Sequence, residues 1–393
     1  MKKWILCFTA MLMVLMTGLA HAGTVDLPQT GQTICYNTLG TVIPCPRTGQ
    51  DGEIQAGVDW PEPRFTINDD TTITDNLTGL VWASDGNIMP NRDLGWDIDG
   101  TLNDGYVTWQ HALDYVAKLN AENYLGHSDW RLPNVNEFES LSNNEEVDLT
   151  PWLESEGFTN VQPYSYWSST THAYHRVYAW FFIIWCSSVN ADNKDYPNGC
   201  VWPVRAGQCG LSNHSAICLP QTGQKKCFNE SGREISCTGT GQDGEIQAGV
   251  AWPTQRFTDK GNTVIDNLTG LMWTKNANLP RGPKNWQEAL DYVKRMNAGI
   301  YDNFGYTDWR LPNRNEIQSL TDYSVYHPAL PVGHPFTHVQ VQAYDYWSST
   351  STPFYTYFAW FVSMSSGGEA FMKKSVNYYI WPVRAGLAGS LDN

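Results

Sequence analysis

Charged side chains are scarce in this sequence, and basic ones are scarcer than acidic ones. Only 17% of the 393 residues are charged, with 25 Lys and Arg against 40 Asp and Glu. A formal net charge of −15 disfavours bulk electrostatic attraction to nucleic acid or to an anionic membrane surface. We therefore expect no nucleic-acid partner.

Long apolar runs are absent after the N-terminus. Residues 1–22 combine Lys2 and Lys3, an apolar run and the small-x-small sequence AHA, a pattern typical of a cleaved signal peptide. We expect residues 1–22 to be removed, no integral membrane segment to remain, and export to the periplasm or the extracellular surface of a bacterium.

Common catalytic motifs are missing as well. The sequence contains no GxSxG, HExxH or phosphate-binding GK[ST] motif. No histidine recurs at matching positions of the repeat described next. These absences favour a protein that is not an enzyme.

Seven landmarks occur twice in the same order, which indicates a tandem duplication of domain size. With their two starting positions they are LPQTGQ (27, 219), TGQDGEIQAGV (48, 240), DNLTGL (75, 266), WQxALDYV (109, 286), DWRLPN (129, 308), YWSST (166, 346) and WPVRAG (202, 381). LPQTG matches a sortase signal, but its recurrence makes it a landmark of the repeat. We predict domains at 23–207 and 219–387, a connector at 208–218 and a tail at 388–393.

Eight cysteines remain after the signal peptide, an even number that suits disulfides in an exported protein. Two equivalent segments each read as a β-hairpin closed by its end cysteines, and a third pair exists only in the first copy. The predicted pairs are Cys35–Cys45, Cys227–Cys237, Cys186–Cys200 and Cys209–Cys218. Because all four are local, we expect each domain to fold independently.

Each copy is predicted to be α+β, with two helices before several short strands. Apolar residues at spacings of three and four indicate helices at WQHALDYVAKLN and WQEALDYVKRMN. Asn134 with Glu137, and Asn313 with Glu316, are typical of a capping box. Seven tryptophan pairs recur between the copies, and we interpret them as core or loop anchors.

The ordered landmarks resemble the Lcl C-terminal domain family, twice along the chain. The resemblance implies a C-type lectin-like fold with two helices, a small antiparallel sheet and a long loop region able to carry ligands. It also implies an adhesin role, since the collagen-like adhesin that names the family is thought to bind sulfated glycosaminoglycans and host surfaces.

Candidate ligand residues are those that differ between the copies. Residues 23–207 carry 25 acidic and 8 basic residues, whereas residues 208–393 carry 15 of each, so a sulfated ligand should prefer the second copy. The candidates are Trp96, Tyr106, Trp152, Lys284, Lys294, Arg295 and Arg314.

Two segments could hold a metal ion, although we expect no cofactor. Oxygen ligands for calcium occur in WDIDGTLNDG, and imidazole ligands for zinc occur in HPALPVGHPFTH. The calcium candidates are Asp97, Asp99, Asn103 and Asp104, and the zinc candidates are His327, His334 and His338.

The sequence as a whole favours an exported, non-catalytic binding protein for carbohydrate or another surface ligand. The alternative is a structural or assembly component of the cell envelope that has no small ligand.

Overall fold

The computed structural model of the protein describes residues 25–96, 104–205, 217–342 and 345–385. The predicted signal peptide and most of the connector lie outside these residues. Each copy has an N-terminal segment followed by a larger folded unit. We call residues 25–60 arm 1 and 217–252 arm 2, and the remaining described residues of the two copies core 1 and core 2.

Each arm is a disulfide-closed hairpin followed by one helical turn. The hairpin strands pair antiparallel, and Cys35–Cys45 and Cys227–Cys237 are bonded as predicted. Arm 1 contains β1 (Cys35–Tyr36), β2 (Val42–Ile43) and α1 (Asp51–Ile54). Arm 2 contains β10 (Cys227–Phe228), β11 (Glu234–Ile235) and α6 (Asp243–Ile246).

The cores share one architecture of two antiparallel sheets and packed helices. Core 1 contains β3 (Phe65–Ile67), β4 (Thr72–Asp75), β5 (Val81–Ala83), α2 (Ile88–Arg92), α3 (Trp109–Ala121), α4 (Val135–Glu139), α5 (Leu149–Ser155), β6 (Ser165–Thr171), β7 (Tyr178–Ile183), β8 (Ser188–Asn193) and β9 (Val204–Arg205). Core 2 contains β12 (Phe257–Asp259), β13 (Thr263–Asp266), β14 (Met272–Thr274), α7 (Trp286–Asn297), α8 (Arg314–Gln318), β15 (Tyr346–Ser351), β16 (Phe358–Val362), β17 (Glu369–Lys373) and β18 (Val383–Arg384).

Strand order is the same in both cores. One sheet runs β3-β4-β5-β9 in core 1 and β12-β13-β14-β18 in core 2, so the last strand returns beside the third. The other sheet is β6-β7-β8 or β15-β16-β17. The α+β class and the two-domain architecture are therefore confirmed, with α2 and α5 as additional helices of core 1.

Local sequence signals explain where the two repeated helices begin. The capping boxes at α4 and α8 form as predicted: Asn134 accepts from the Glu137 N–H while Glu137 accepts from the Asn134 N–H, and Asn313 and Glu316 do the same. In α3 the apolar stripe of the sequence faces inward, with Trp109 fully buried.

Tryptophans form the centre of both cores. Six of the seven matched pairs are buried, as the sequence interpretation requires. They are Trp82/Trp273, Trp109/Trp286, Trp130/Trp309, Trp167/Trp347, Trp180/Trp360 and Trp202/Trp381. The exception is Trp60/Trp252, whose indoles are partly exposed.

The predicted Cys186–Cys200 disulfide is wrong, because both residues are buried thiols. Cys186 ends a 3-10 turn after β7, and Arg314 of core 2 is among the charges that act on it. Cys200 instead directs its Sγ to the Asp104 carbonyl, 3.8 Å away in core 1. Cys218 is disulfide-bonded, while its predicted partner Cys209 lies outside the described residues.

The expectation of independent domains is also wrong, because each arm packs against the core of the other copy. Gln32 of arm 1 bonds Ser351 of β15, and Gln224 of arm 2 bonds Thr171 of β6. Local disulfides close each hairpin but do not decide which core the hairpin contacts. The two copies therefore form one interlocked unit.

Candidate ligand-binding cleft between the two copies

A cleft lies where the two arms meet the two cores. The cleft is small, with a cavity volume of about 60 Å³. Eight pairs of equivalent residues line it: Leu27/Leu219, Pro28/Pro220, Gln29/Gln221, Trp60/Trp252, Asn136/Asn315, Glu139/Gln318, Ser140/Ser319 and Ser142/Thr321. The cleft thus has approximate two-fold symmetry, which Glu139/Gln318 and Ser142/Thr321 break.

The repeated LPQTG string builds one wall of each half. Trp60 Nε1 donates to the Gln29 carbonyl at 2.9 Å. Gly31 has φ +84°, and a Cβ there would lie 2.9 Å from the Trp60 ring and 2.5 Å from Asn143 Oδ1. Only glycine fits this close approach in the left-handed region. Gly223 and Trp252 repeat the arrangement.

A buried arginine fixes the cleft indole in each half. The Arg64 guanidinium lies 4.5 Å from the Trp60 ring centroid and forms a buried ion pair with Asp75 at 2.7 Å. Its Nη2 also donates to the Ser140 carbonyl at 2.9 Å, so one side chain positions two cleft residues. Arg256 plays the same part in the second copy.

Three residues of the cleft lining each carry a buried polar atom that has no hydrogen-bond partner among the described residues. The atoms are Ser142 Oγ, Gln318 Oε1 and Thr321 Oγ1, on side chains that are 7%, 6% and 5% exposed. The Gln318 amide nitrogen donates to Tyr323 Oη and the Gly367 carbonyl, which leaves the oxygen to accept. An unpartnered buried polar atom costs about 1–3 kcal/mol, so these atoms favour a ligand that bonds them.

Glu139 is the one titratable residue among the described residues that line the cleft. Burial, and then repulsion from Glu369, raise the pKa of Glu139 well above its ordinary value. Tyr323 Oη donates to Glu139 Oε1 at 3.2 Å. The raised pKa favours the protonated form of this carboxyl group, which can donate a hydrogen bond, over a wider pH range than for an exposed glutamate.

A buried ion pair lies close to Glu139 and exists in the second copy alone. Arg314 bonds Glu369, with the two side chains 2% and 1% exposed, and its guanidinium lies 3.8 Å from the Trp360 ring centroid. The equivalent residues of core 1 are Val135, at the start of α4, and Val189, which faces Phe182 as Glu369 faces Val362. The duplicated fold thus accommodates either two apolar side chains or an ion pair at these two positions.

The aromatic candidates from the sequence fall at three separate places. Trp96 packs on α3, with its ring 5.2 Å from the His111 ring. Tyr106 lines a different, open cavity with Tyr164, Phe181, Asp192, Pro197 and Asn198. Trp152 lies behind the cleft, 6.1 Å from the Trp60 ring centroid, and so supports a cleft residue without lining the cleft itself.

The basic candidates do not form one surface. Arg314 as a ligand residue is a wrong prediction, because it is buried and paired with Glu369. Lys284 hydrogen-bonds Tyr378 through its backbone, and exposed Lys294 lies 3.7 Å from Asp291. The exposed Arg295 contacts the Tyr301 hydroxyl at 3.4 Å.

The candidate metal ligands either lie apart from one another or fall outside the described residues. Asp97, Asp99 and Asn103 lie outside the described residues, and the Asp104 carboxylate caps the Tyr106 N–H. Within the described ranges, no group of three or more His, Cys, Asp or Glu residues could hold a metal ion, so His327, His334 and His338 do not converge on one.

The cleft itself was missed at the level of sequence. Its main signal was present, because LPQTGQ and TGQDGEIQAGV recur outside the helices and strands of the two cores. A repeated string shows that a segment was duplicated, but it does not show that both copies converge on one site. That convergence depends on the packing of each arm against the core of the other copy.

These features define a class of protein with tandem, disulfide-bonded α+β domains that share one cleft. The model of the Lcl C-terminal domain family matches residues 71–205 and 262–384, and the chain belongs to this family. Arm 1 precedes the first match and arm 2 lies between the matches. No curated protein matches the chain. In the described part of the chain, no helix is long and apolar enough to cross a membrane.

Proposed function

We propose that this is an exported, non-catalytic binding protein whose shared cleft takes an uncharged, hydroxyl-bearing ligand, namely a carbohydrate. The supporting observation is the set of three unpartnered atoms, on Ser142, Gln318 and Thr321, beside the indoles of Trp60 and Trp252. A concave, largely apolar site with a few convergent polar groups is the usual form of a small-ligand site. Sugar hydroxyls both donate and accept, as these atoms require.

The charges around the cleft support a neutral ligand over a sulfated one. Among the described residues, the cleft lining contains no Lys, Arg or His. Two of the basic residues that gave the second copy its higher charge, Arg314 and Lys374, are buried. A sulfate group would therefore meet no free cation in the cleft.

The composition of the lining also supports binding without catalysis. Among the described residues of the lining, Glu139 carries the one carboxyl group, and its neighbour Glu369 outside the lining is paired with Arg314. Hydrolysis of a glycoside commonly uses a pair of carboxyl groups across the scissile bond. One protonated carboxyl group suits hydrogen bonding to a ligand.

A glycan array followed by calorimetric titration tests this proposal. In the double variant Ser142→Ala/Thr321→Val, two unpartnered hydroxyls are removed, so stability should be unchanged or slightly higher. Loss of two hydrogen bonds, at about 0.5–1.5 kcal/mol each, should weaken binding by roughly 5- to 150-fold. The control Thr41→Val changes an exposed hairpin residue and should bind like wild type.

Two results would count against the proposal. Unchanged affinity in the double variant would place the ligand elsewhere. An array without hits, together with a protein that co-purifies with this chain in defined stoichiometry, would favour the structural or assembly role.

A further inference from the structure

The arm contacts are the same in both directions between the copies. Gln32 accepts from the Ser351 N–H at 2.9 Å and donates to the Ser351 carbonyl at 2.8 Å. Gln224 donates to the equivalent Thr171 carbonyl at 2.5 Å. Each arm thus pairs with the strand that carries the YWSST motif of the other core.

A buried carboxyl group ties each arm to the same strand. Asp51 Oδ2 accepts from Thr30 of its own arm and from Thr350 of core 2, both at 2.6 Å. Asp243 Oδ2 accepts from Thr222 at 2.6 Å and from Thr170 of core 1 at 2.8 Å. The repeated threonines and aspartates are therefore docking residues.

Two asparagines at the start of α4 and two at the start of α8 complete the docking surface. Asn134 and Asn313 cap their helices through Oδ1, and the Nδ2 atom of each of the four asparagines donates to a backbone carbonyl of an arm. These contacts are Asn134 to Ala248 (3.2 Å), Asn136 to Pro220 (2.9 Å), Asn313 to Ala56 (2.9 Å) and Asn315 to Pro28 (3.0 Å). Because the groups recognised are backbone carbonyls, the side-chain differences between the arms matter little.

A buried lysine closes the far end of each docking surface. Lys194 donates to the Phe228 carbonyl at 3.1 Å, and its ammonium lies 3.9 Å from the Trp109 ring centroid. Lys374 reaches the Tyr36 and Asn37 carbonyls at 3.5 and 3.4 Å. Both lysines are fully buried by the arm of the other copy and their own core.

We propose that each core surface formed by these two asparagines, the YWSST strand and the buried lysine is a docking site for the disulfide-closed arm of a second half-chain. The two halves therefore remain paired without a covalent connector. Since the cleft takes residues from both arms and both cores, a single half carries an incomplete cleft. The inference does not depend on which ligand the cleft binds.

Cleavage of the folded full-length protein tests this proposal. A protease site placed at residues 206–208 precedes Cys209 and Cys218, and a non-reducing denaturing gel verifies that the fragments are no longer covalently joined. We expect the cut protein to elute from a native sizing column as one particle of the same size as the uncut protein. Two separate half-size peaks would overturn the proposal.

A pair of variants shows whether the arms are responsible. In the cut protein, Gln32→Ala/Gln224→Ala removes the hydrogen bonds from one docking side chain in each arm and should weaken association of the halves at least tenfold. Gln110→Ala, at a partly exposed glutamine of α3 whose side chain donates to Asp114, is the matched control and should have no effect. Thermal melting of the uncut variants verifies folding. Equal association of both variants would show that the halves pair through other contacts and would also contradict the proposal.

Discussion

The buried Arg314–Glu369 pair allows a quantitative test, because the duplication supplies its apolar counterpart. Removing Arg314 alone leaves a carboxylate without its partner at a position that is 1% exposed. Breaking a buried pair in this way typically costs about 3–5 kcal/mol. We therefore expect Arg314→Met and Glu369→Leu to destabilise the protein by about that amount each.

The double variant should behave differently. Replacing both charges by apolar groups is commonly neutral, or stabilising by about 1–4 kcal/mol. Arg314 also donates to the Ser187 carbonyl, and loss of that bond costs about 1–3 kcal/mol. The two effects nearly cancel, so Arg314→Met/Glu369→Leu should lie within about 2 kcal/mol of wild type.

Denaturant unfolding of the four proteins measures this coupling as a double-mutant cycle. The control cycle uses Lys226 and Glu234, an ion pair whose side chains are 61% and 50% exposed, and its coupling should stay under about 1 kcal/mol. The reasoning would be refuted if the double variant lost the sum of the two single effects. Single losses below about 1 kcal/mol would refute it too.

Two further predictions concern pH. If the protonated Glu139 donates to the ligand, the affinity should fall as the pH rises through the raised pKa of Glu139. Glu139→Gln should then bind with little pH dependence. A parallel decline of affinity in calorimetric titrations of both proteins would exclude this role. Burial raises the pKa of Asp51 and of Asp243 to about 6. Their contribution to folding stability is therefore complete below the pKa of the unfolded chain, near 3.8, and is lost as the pH rises through about 6. Each rise corresponds to about 3 kcal/mol. Unfolding free energies between pH 4 and 7 should therefore fall less in Asp51→Asn/Asp243→Asn than in wild type, and equal slopes would contradict the assignment.

Regular local patterns in the sequence predicted most of the fold. The hairpins, the capping boxes and the inward stripe of α3 follow from residues close together in the chain, so their signals are visible without tertiary information. The recurrence of tryptophan pairs correctly indicated core positions for six pairs. Trp60 and Trp252 could not be distinguished from them, because their partial exposure depends on where the arms lie.

The wrong predictions for Cys186, Cys200 and Arg314 concern contacts between residues that are far apart in the sequence. Cys186 and Cys200 are both absent from the second copy, which suggested a bond, yet the fold directs them to different neighbours. Arg314 reads as a surface charge in the string LPNRNE, but the packing of α8 against β15 and β16 places it next to Glu369 of the neighbouring strand β17. The sequence contains both charges and gives no sign that they meet.

The most direct test of the account is the stoichiometry of ligand binding to the intact chain. The cleft lies where the copies meet and draws on both, so calorimetric titration with a glycan that binds the array should give one site per chain. A stoichiometry of two equivalent sites per chain would show that each copy carries its own site, and would contradict a cleft shared between them.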